Sequence, residues 1–190
     1  MTSDAPTLVI SVPDDKLEKD LSGLPGIEVV RWDMSDSAPR TAFDIVVPPY
    51  IRSPRVLARL EGVEVRLVQS QSIGYEAAAK HLPPGIVFAN AASVHEGSTA
   101  ELAVALTLAS QRQIPRFVAA QDAGRWAGPR EGDAFPSSLA DRRVLIVGFG
   151  GVGTAIAARL RGFEAHVEAV ATHARTEDGT VVHALEELPV

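Results

Sequence analysis

Three glycines, Gly148, Gly150 and Gly153, follow the apolar run Val144-Leu145-Ile146-Val147 and precede Thr154-Ala155-Ile156-Ala157-Ala158-Arg159-Leu160. A buried strand, a GxGxxG turn and a helix in that order suit one chemistry in particular, the holding of a pyrophosphate. Gly148 allows the tight turn, Gly150 lets the main chain approach a phosphate, and Gly153 lets the helix pack closely on the strand. The helix N-terminus then presents N–H groups and a partial positive charge. The candidate cofactor loop is therefore Gly148, Phe149, Gly150, Gly151, Val152 and Gly153, and the alternative is a purely structural glycine turn. A second strand is expected over 165–171. A carboxylate that receives the ribose 2'-hydroxyl of NAD usually stands roughly 20 residues past such a turn. Here the tip reads Ala171-Thr172-His173-Ala174-Arg175, without an acid. Thr172, His173 and Arg175 can hydrogen-bond or pair with a 2'-phosphate, which favours NADP(H) over NAD(H). In the competing reading Arg175 is a solvated loop residue and Glu168 or Glu177 serves the ribose.

These residues sit in a chain of 190 residues and 20.1 kDa, 46% hydrophobic and 22% charged, with a mean hydropathy of +0.09. That composition excludes wholesale disorder and suits one ordinary domain or two small ones. The lack of cysteine excludes a disulfide framework, a thiol nucleophile and a cysteine zinc site. A net charge of −6 and a pI near 5.4, with arginines scattered from Arg31 to Arg175, leave no basic footprint for nucleic acid. No apolar run approaches the roughly 18 residues of a membrane span. The start, MTSDAPTLVISVPDD, lacks the basic and apolar regions of a signal peptide. The expectation is a cytoplasmic protein with no membrane and no nucleic-acid partner.

Short β-branched runs predict strands over 7–12, 27–32, 44–47, 63–70 and 86–90, with helices between them over 14–21, 54–60 and 75–81. Such alternation reads as βαβ units around a parallel sheet. From Ser98 to Ala120 one long helix is expected, kinked or split by Pro115, with Ser98 and Glu101 forming a capping box at its start. Gly124 to Ser138 reads as a surface loop carrying Trp126, and a new strand begins at Arg143.

Three segments in order resemble the D-isomer-specific 2-hydroxyacid dehydrogenase family, which includes glyoxylate/hydroxypyruvate reductases, phosphoglycerate dehydrogenase and formate dehydrogenase. They are Val68-Gln69-Ser70-Gln71-Ser72-Ile73-Gly74-Tyr75-Glu76, then Asn90 through Ser98-Thr99-Ala100-Glu101-Leu102-Ala103, then Ser138-Leu139-Ala140-Asp141 leading into the glycine turn. The resemblance implies an α/β chain in two parts: a flavodoxin-like parallel-sheet substrate domain over 1–93, then an incomplete Rossmann nucleotide-binding domain over 94–190. It implies that the amides of Ile73 and Gly74 hold a substrate carboxylate, which is chemically sound because a glycine at a strand end exposes main-chain N–H groups. An ordinary strand-to-helix turn is the other reading of that loop. By the same analogy Tyr50 faces the substrate cleft, although a lone tyrosine is as readily a packing residue. Thr99 stands beside the cofactor, and Glu101 is structural rather than catalytic. The family's dimer is built on the nucleotide domain, with the long helix and Trp126 in the partner contact.

Hydride transfer to a 2-oxo acid needs a cation for the substrate and an acid for the developing alkoxide. The family supplies these with an arginine and a carboxylate-supported histidine downstream of the second Rossmann strand. None of His81, His95, His166, His173 and His183 sits in that motif, so no catalytic residue is assigned, and those residues are expected beyond Val190. Two functions compete: an NAD(P)-dependent reductase of small 2-oxo acids such as glyoxylate or hydroxypyruvate, and a non-catalytic NAD(P)-binding or assembly module of the same fold. The shortness of the chain after Arg143 favours the first, as part of a longer enzyme.

Overall fold

The computed structural model describes residues 7–128, 135–140 and 142–187. The chain divides into two compact units, Met1–Val94 and His95–Val190. In the first unit five parallel strands, β1 (Leu8–Val12), β2 (Ile27–Arg31), β3 (Ala42–Val46), β4 (Glu64–Gln69) and β5 (Val87–Ala89), lie in the order β2-β1-β3-β4-β5. Helix α1 (Asp15–Leu21) joins β1 to β2, and Asp14 caps it by accepting the Leu17 N–H at 2.9 Å. The core sets Trp32 stacked on Phe43, with ring centroids 5.8 Å apart, among Met34, Val46, Leu60 and Val68.

The crossovers after β3 and β4 are tighter than the sequence suggests. Pro54–Leu60 forms a 3-10 helix, capped by the Ser53 hydroxyl, that buries Leu57 and Leu60. The helix expected over 75–81 shrinks to a single 3-10 turn, Ala78–Lys80. Pro83 and Pro84 follow it, and a segment this short cannot offset the cost of helix nucleation without more packing.

In the second unit α2 (Glu96–Gln111) and α3 (Ile114–Asp122) replace the single long helix. The break falls at Gln113, whose φ of 53° is left-handed, with Pro115 in the first turn of α3, where its missing N–H costs nothing. The expected capping box does not form. Helix α2 starts at Glu96, so Ser98 lies inside its first turn and its hydroxyl donates to the His95 carbonyl at 3.2 Å instead of accepting an N–H, while Glu101 is exposed. Strands β6 (Arg143–Val147), β7 (His166–Ala171), β8 (Arg175–Glu177) and β9 (Thr180–Ala184) form a sheet in the order β6-β7-β9-β8, with α4 (Gly151–Leu160) between β6 and β7. Only β8 is antiparallel. The β8–β9 hairpin was not expected, yet its signal stands in the sequence: Asp178-Gly179, both with positive φ, is the two-residue turn that matches strand twist. One sheet face, with Ile146, Ala169 and Val182, packs on Val104 of α2 and on Ala157 and Leu160 of α4. Part of the 124–138 loop and Asp141 of the Ser138–Asp141 segment lie outside the described residues.

Two local interactions hold these sheets. Gly148 has φ +95°, and a Cβ on Gly153 would stand 2.2 Å from the Gly148 carbonyl oxygen. Asp44 in β3 accepts the Val9 N–H at 2.9 Å and the Arg66 guanidinium at 3.0 Å, so its carboxylate replaces a main-chain acceptor between β1 and β3. Those bonds, the Val9 amide first and Arg66 second, hold the Asp44 carboxyl below its usual range.

Gly153→Ala therefore forces α4 off β6, and urea denaturation should show a loss of roughly 1–3 kcal/mol, the range for overpacking, with Thr154→Ala as the milder control. Because the folded-state pKa of Asp44 is depressed, its contribution to stability is complete above about pH 4 and falls away as pH drops through the depressed value. Asp44→Asn should flatten the decline of the urea midpoint below about pH 4.

Candidate functional site

The second unit brings most of the predicted cofactor residues to one end of its sheet. The Gly148 N–H donates to the Val170 carbonyl at 2.8 Å, which ties the turn to the C-terminal end of β7. Gly150 is the N-cap of α4, in extended conformation and with open space where a Cβ would stand. The first N–H groups of α4, at Gly151, Val152 and Gly153, have no acceptor within their own helix and face the turn. Such a concavity of main-chain donors at a helix start holds an oxyanion. Phe149, by contrast, is 4% exposed and belongs to the core, so its contribution to the loop is its main chain. Glu96, in the first turn of α2, reaches the turn as well, its carboxyl 2.7 Å from where a Gly151 Cβ would be. Thr99, one turn further along α2, is exposed.

The tip after β7 reaches the turn through Arg175. Its Nη2 donates to the Phe149 carbonyl at 2.6 Å, its guanidinium carbon lies 5.8 Å from the Phe149 ring centroid, and its Nε donates to Glu177 at 2.7 Å. Arg175 is thus a cation held at the glycine loop by a main-chain acceptor, a ring face and a carboxylate. Thr172 and His173 stand exposed in the turn before it, and the His173 carbonyl accepts from Arg175 at 3.3 Å. The two acids of the competing reading separate. Glu177 lies beside Arg175, whereas Glu168 is drawn to His183 at 3.0 Å and to Arg143 at 3.5 Å on the other sheet face. His183 stands diagonally across the parallel β7–β9 pair from Glu168, a partner that only strand register brings within reach.

In the first unit the loop after β4 is fixed at several points. Asn90 Nδ2 donates to the Ile73 carbonyl at 2.8 Å, the Ala91 N–H donates to the Ser72 carbonyl at 3.0 Å, and Gln71 Nε2 donates to the Pro48 carbonyl at 2.9 Å. Ser70 Oγ accepts the Ser72 N–H at 3.1 Å. Among the described residues no acceptor takes the N–H of Ile73 or Gly74. Past the carboxyl ends of β3 and β4 this loop borders a cavity of about 270 Å³, lined in part by Tyr50, Arg52, Ser70, Gly74 and Glu76. Tyr50 is half exposed at its rim. Ile73 is not among the lining residues, so of the predicted pair Gly74 is the one the cavity meets. Sequence reading passed over Asn90 and Gln71 as positioning groups, and over Arg52 altogether. Only their long-range partners mark them.

Residues 104–189 match the NAD binding domain of the D-isomer specific 2-hydroxyacid dehydrogenases. Over 109 residues the chain is 31% identical to a glyoxylate/hydroxypyruvate reductase of Arabidopsis thaliana, which covers 57% of this chain and 33% of that protein. Over 146 residues it is 29% identical to the glyoxylate reductase/hydroxypyruvate reductase of Mus musculus, covering 72% of this chain and 44% of that one. Among solved structures, an NADPH-dependent glyoxylate/hydroxypyruvate reductase from Sinorhizobium meliloti in complex with citrate superposes with a TM-score of 0.68 at 26% identity, over 94% of this chain and 58% of that one. The chain spans less than half the length of the curated relatives it matches. The nucleotide-domain match, the two reductase relatives and the shared fold together make the chain similar to the D-isomer specific 2-hydroxyacid dehydrogenases, with the family match itself lying over residues 104–189.

Proposed function

We propose that this chain serves an NADP(H)-dependent reductase of small 2-oxo acids, of the glyoxylate or hydroxypyruvate type. The observation that carries the reading is Arg175, a cation seated on the glycine turn at the end of β7. The open space at Gly150 and the donors at the start of α4 fit a pyrophosphate, and Arg175 with Thr172 and His173 fits a 2'-phosphate. Such a cofactor supplies the hydride. This chain's residues would bind and orient it, with Thr99 at the same end of the unit. Support for the phosphate-bearing cofactor also comes from the NADPH dependence of the Sinorhizobium meliloti reductase.

The two units divide the work in this reading. Residues 94–190 bind the nucleotide and, by family analogy, carry the dimer contact, where Trp126, 97% exposed, is the anchor. Residues 1–93, whose strand order β2-β1-β3-β4-β5 is the flavodoxin-like one, bind the acid through the Ile73 and Gly74 amides, with Tyr50 at the rim. A 2-oxo acid placed there directs its carboxylate at main-chain donors, which need no desolvated counter-charge. The second reading, a non-catalytic cofactor-binding module, draws on one observation: among the described residues no histidine lines that cavity. Both readings place the cofactor at the same turn and differ in turnover.

Calorimetric titration of the chain with NADPH and NADH checks the assignment. NADPH should bind about tenfold tighter, the worth of one charge-assisted contact, and Arg175→Gln should bring the two to parity. Glu177→Gln, which releases Arg175 from its carboxylate, should widen the preference. Equal affinities in the unaltered chain, or tighter NADH, overturn the NADP(H) assignment.

A further inference from the structure

Gly151 is the one glycine of the turn whose identity the dinucleotide reading leaves unexplained. It is not one of the three motif positions, and it opens α4 with ordinary right-handed backbone, where glycine is the least favourable residue after proline. What fills the place of its side chain is Glu96. A Cβ at 151 would meet that side chain three times, Oε1 at 2.7 Å, Cγ at 2.8 Å and Cδ at 3.2 Å. Glu96 comes from the first turn of α2 and is half-buried, with its Oε2 fully covered. Glycine at 151 is thus what lets a carboxylate from one helix lie against the start of another.

The electrostatics of that place favour an anion. Gly150 has no side chain with which to cap α4, and the first turn of α4 carries no charged residue. By the standard dimensions of a residue, Glu96 Oε1 lies no more than about 5 Å from the Gly151 nitrogen, within reach of the partial positive charge of the helix start. A covered carboxylate is unfavourable unless donors or positive charge answer it, and the start of α4 offers both. A pyrophosphate calls on the same donors. Two anions at one helix start repel each other, more strongly in a partly shielded site than in bulk water. The cofactor therefore binds against the charge of Glu96 or displaces it.

We propose that Glu96 competes with the cofactor's pyrophosphate for the start of α4 and so lowers its affinity, with Gly151 the residue that admits the competitor. The inference rests on the assignment of the glycine turn to a dinucleotide. Glu96 then tunes how readily the cofactor is held and exchanged. Because NADPH and NADH carry the same pyrophosphate, it acts on both alike, whereas Arg175 tells them apart.

Calorimetric titration of the 190-residue chain tests this. Glu96→Gln should bind NADPH and NADH each about tenfold tighter, with their ratio unchanged. Adenosine 2'-monophosphate, which reaches the Arg175 end without a pyrophosphate, should bind to that variant as it does to the unaltered chain. Gly151→Ala gives a second route that leaves Glu96 in place: its Cβ evicts the flexible end of the Glu96 side chain, and alanine suits a helix better than glycine. It should tighten NADPH in the unaltered chain and not in the Glu96→Gln chain, a coupling that a general change of stability does not produce. Unchanged or weaker NADPH binding by Glu96→Gln, the same effect of Gly151→Ala in both backgrounds, or an equal gain for adenosine 2'-monophosphate overturns the role of Glu96 and leaves the assignment of the turn standing. No binding of either dinucleotide, to the unaltered chain or to Glu96→Gln, overturns that assignment and the role of Glu96 with it.

Discussion

The carbonyl oxygen of Gly148 occupies the place where a side chain on Gly153 would begin, 2.2 Å from that hypothetical Cβ. Helix α4 can follow β6 this closely only if position 153 carries no side chain. Everything else in the second unit's site depends on that approach. It aims the first N–H groups of α4 at the turn, and it lets Ala157 and Leu160 reach the sheet beside Ile146 and Ala169. It also buries Phe149, and a buried Phe149 offers Arg175 both a fixed carbonyl and a ring face. A cation at the open end of a three-residue edge strand would otherwise wander. Here its position follows from two glycines on another element.

The first unit reaches a similar result by a different device. Its donor loop has no helix of useful length behind it, since only the 3-10 turn Ala78–Lys80 follows. Side-chain amides do the fastening instead. Gln71 bridges to the loop after β3, Gln69 bridges to the Asn90 carbonyl at 3.1 Å, and Asn90 returns a bond to Ile73. Each of these bonds satisfies a carbonyl that the turn would otherwise leave facing the protein. The carbonyls of Ser72 and Ile73 are engaged in this way, while the amides of Ile73 and Gly74 meet no acceptor among the described residues.

Much of this was legible where a backbone requirement forces one residue type. The GxGxxG turn is such a case, because positive φ at Gly148 and the contact at Gly153 admit nothing else, and local sequence records them. The split of the long helix was legible for the same reason, through Pro115. Readings failed where two local patterns competed. Ser98 and Glu101 have capping-box spacing, but the helix starts earlier, and inside its first turn a serine hydroxyl finds a carbonyl to donate to. Asp178-Gly179 was visible as a hairpin turn and went unread because a βαβ order predicts a helix there. The partners of Arg52, Asn90 and His183 were out of reach, since strand pairing and loop packing bring together residues 15 to 19 positions apart with no local trace.

Arg175 shows an arrangement that separates positioning from stability. It stands near a loop of main-chain donors and is paired with a carboxylate, Glu177, that is itself 41% exposed. An ion pair this wet contributes from nothing to about 1 kcal/mol, so it is not needed to hold the fold. What the carboxylate does is narrow the volume in which the guanidinium moves, and it does so with a bond that an incoming oxyanion can replace at little net cost. A buried pair would hold the arginine more firmly and surrender it only against a large desolvation penalty. Main-chain donors fix where an anion's first group lies, and a loosely held arginine then answers to whatever charge stands further along it. In the proposed reading the anchor of the second unit is backbone and the discriminating element is the half-exposed Arg175, so its substitution should act on selectivity before it acts on folding.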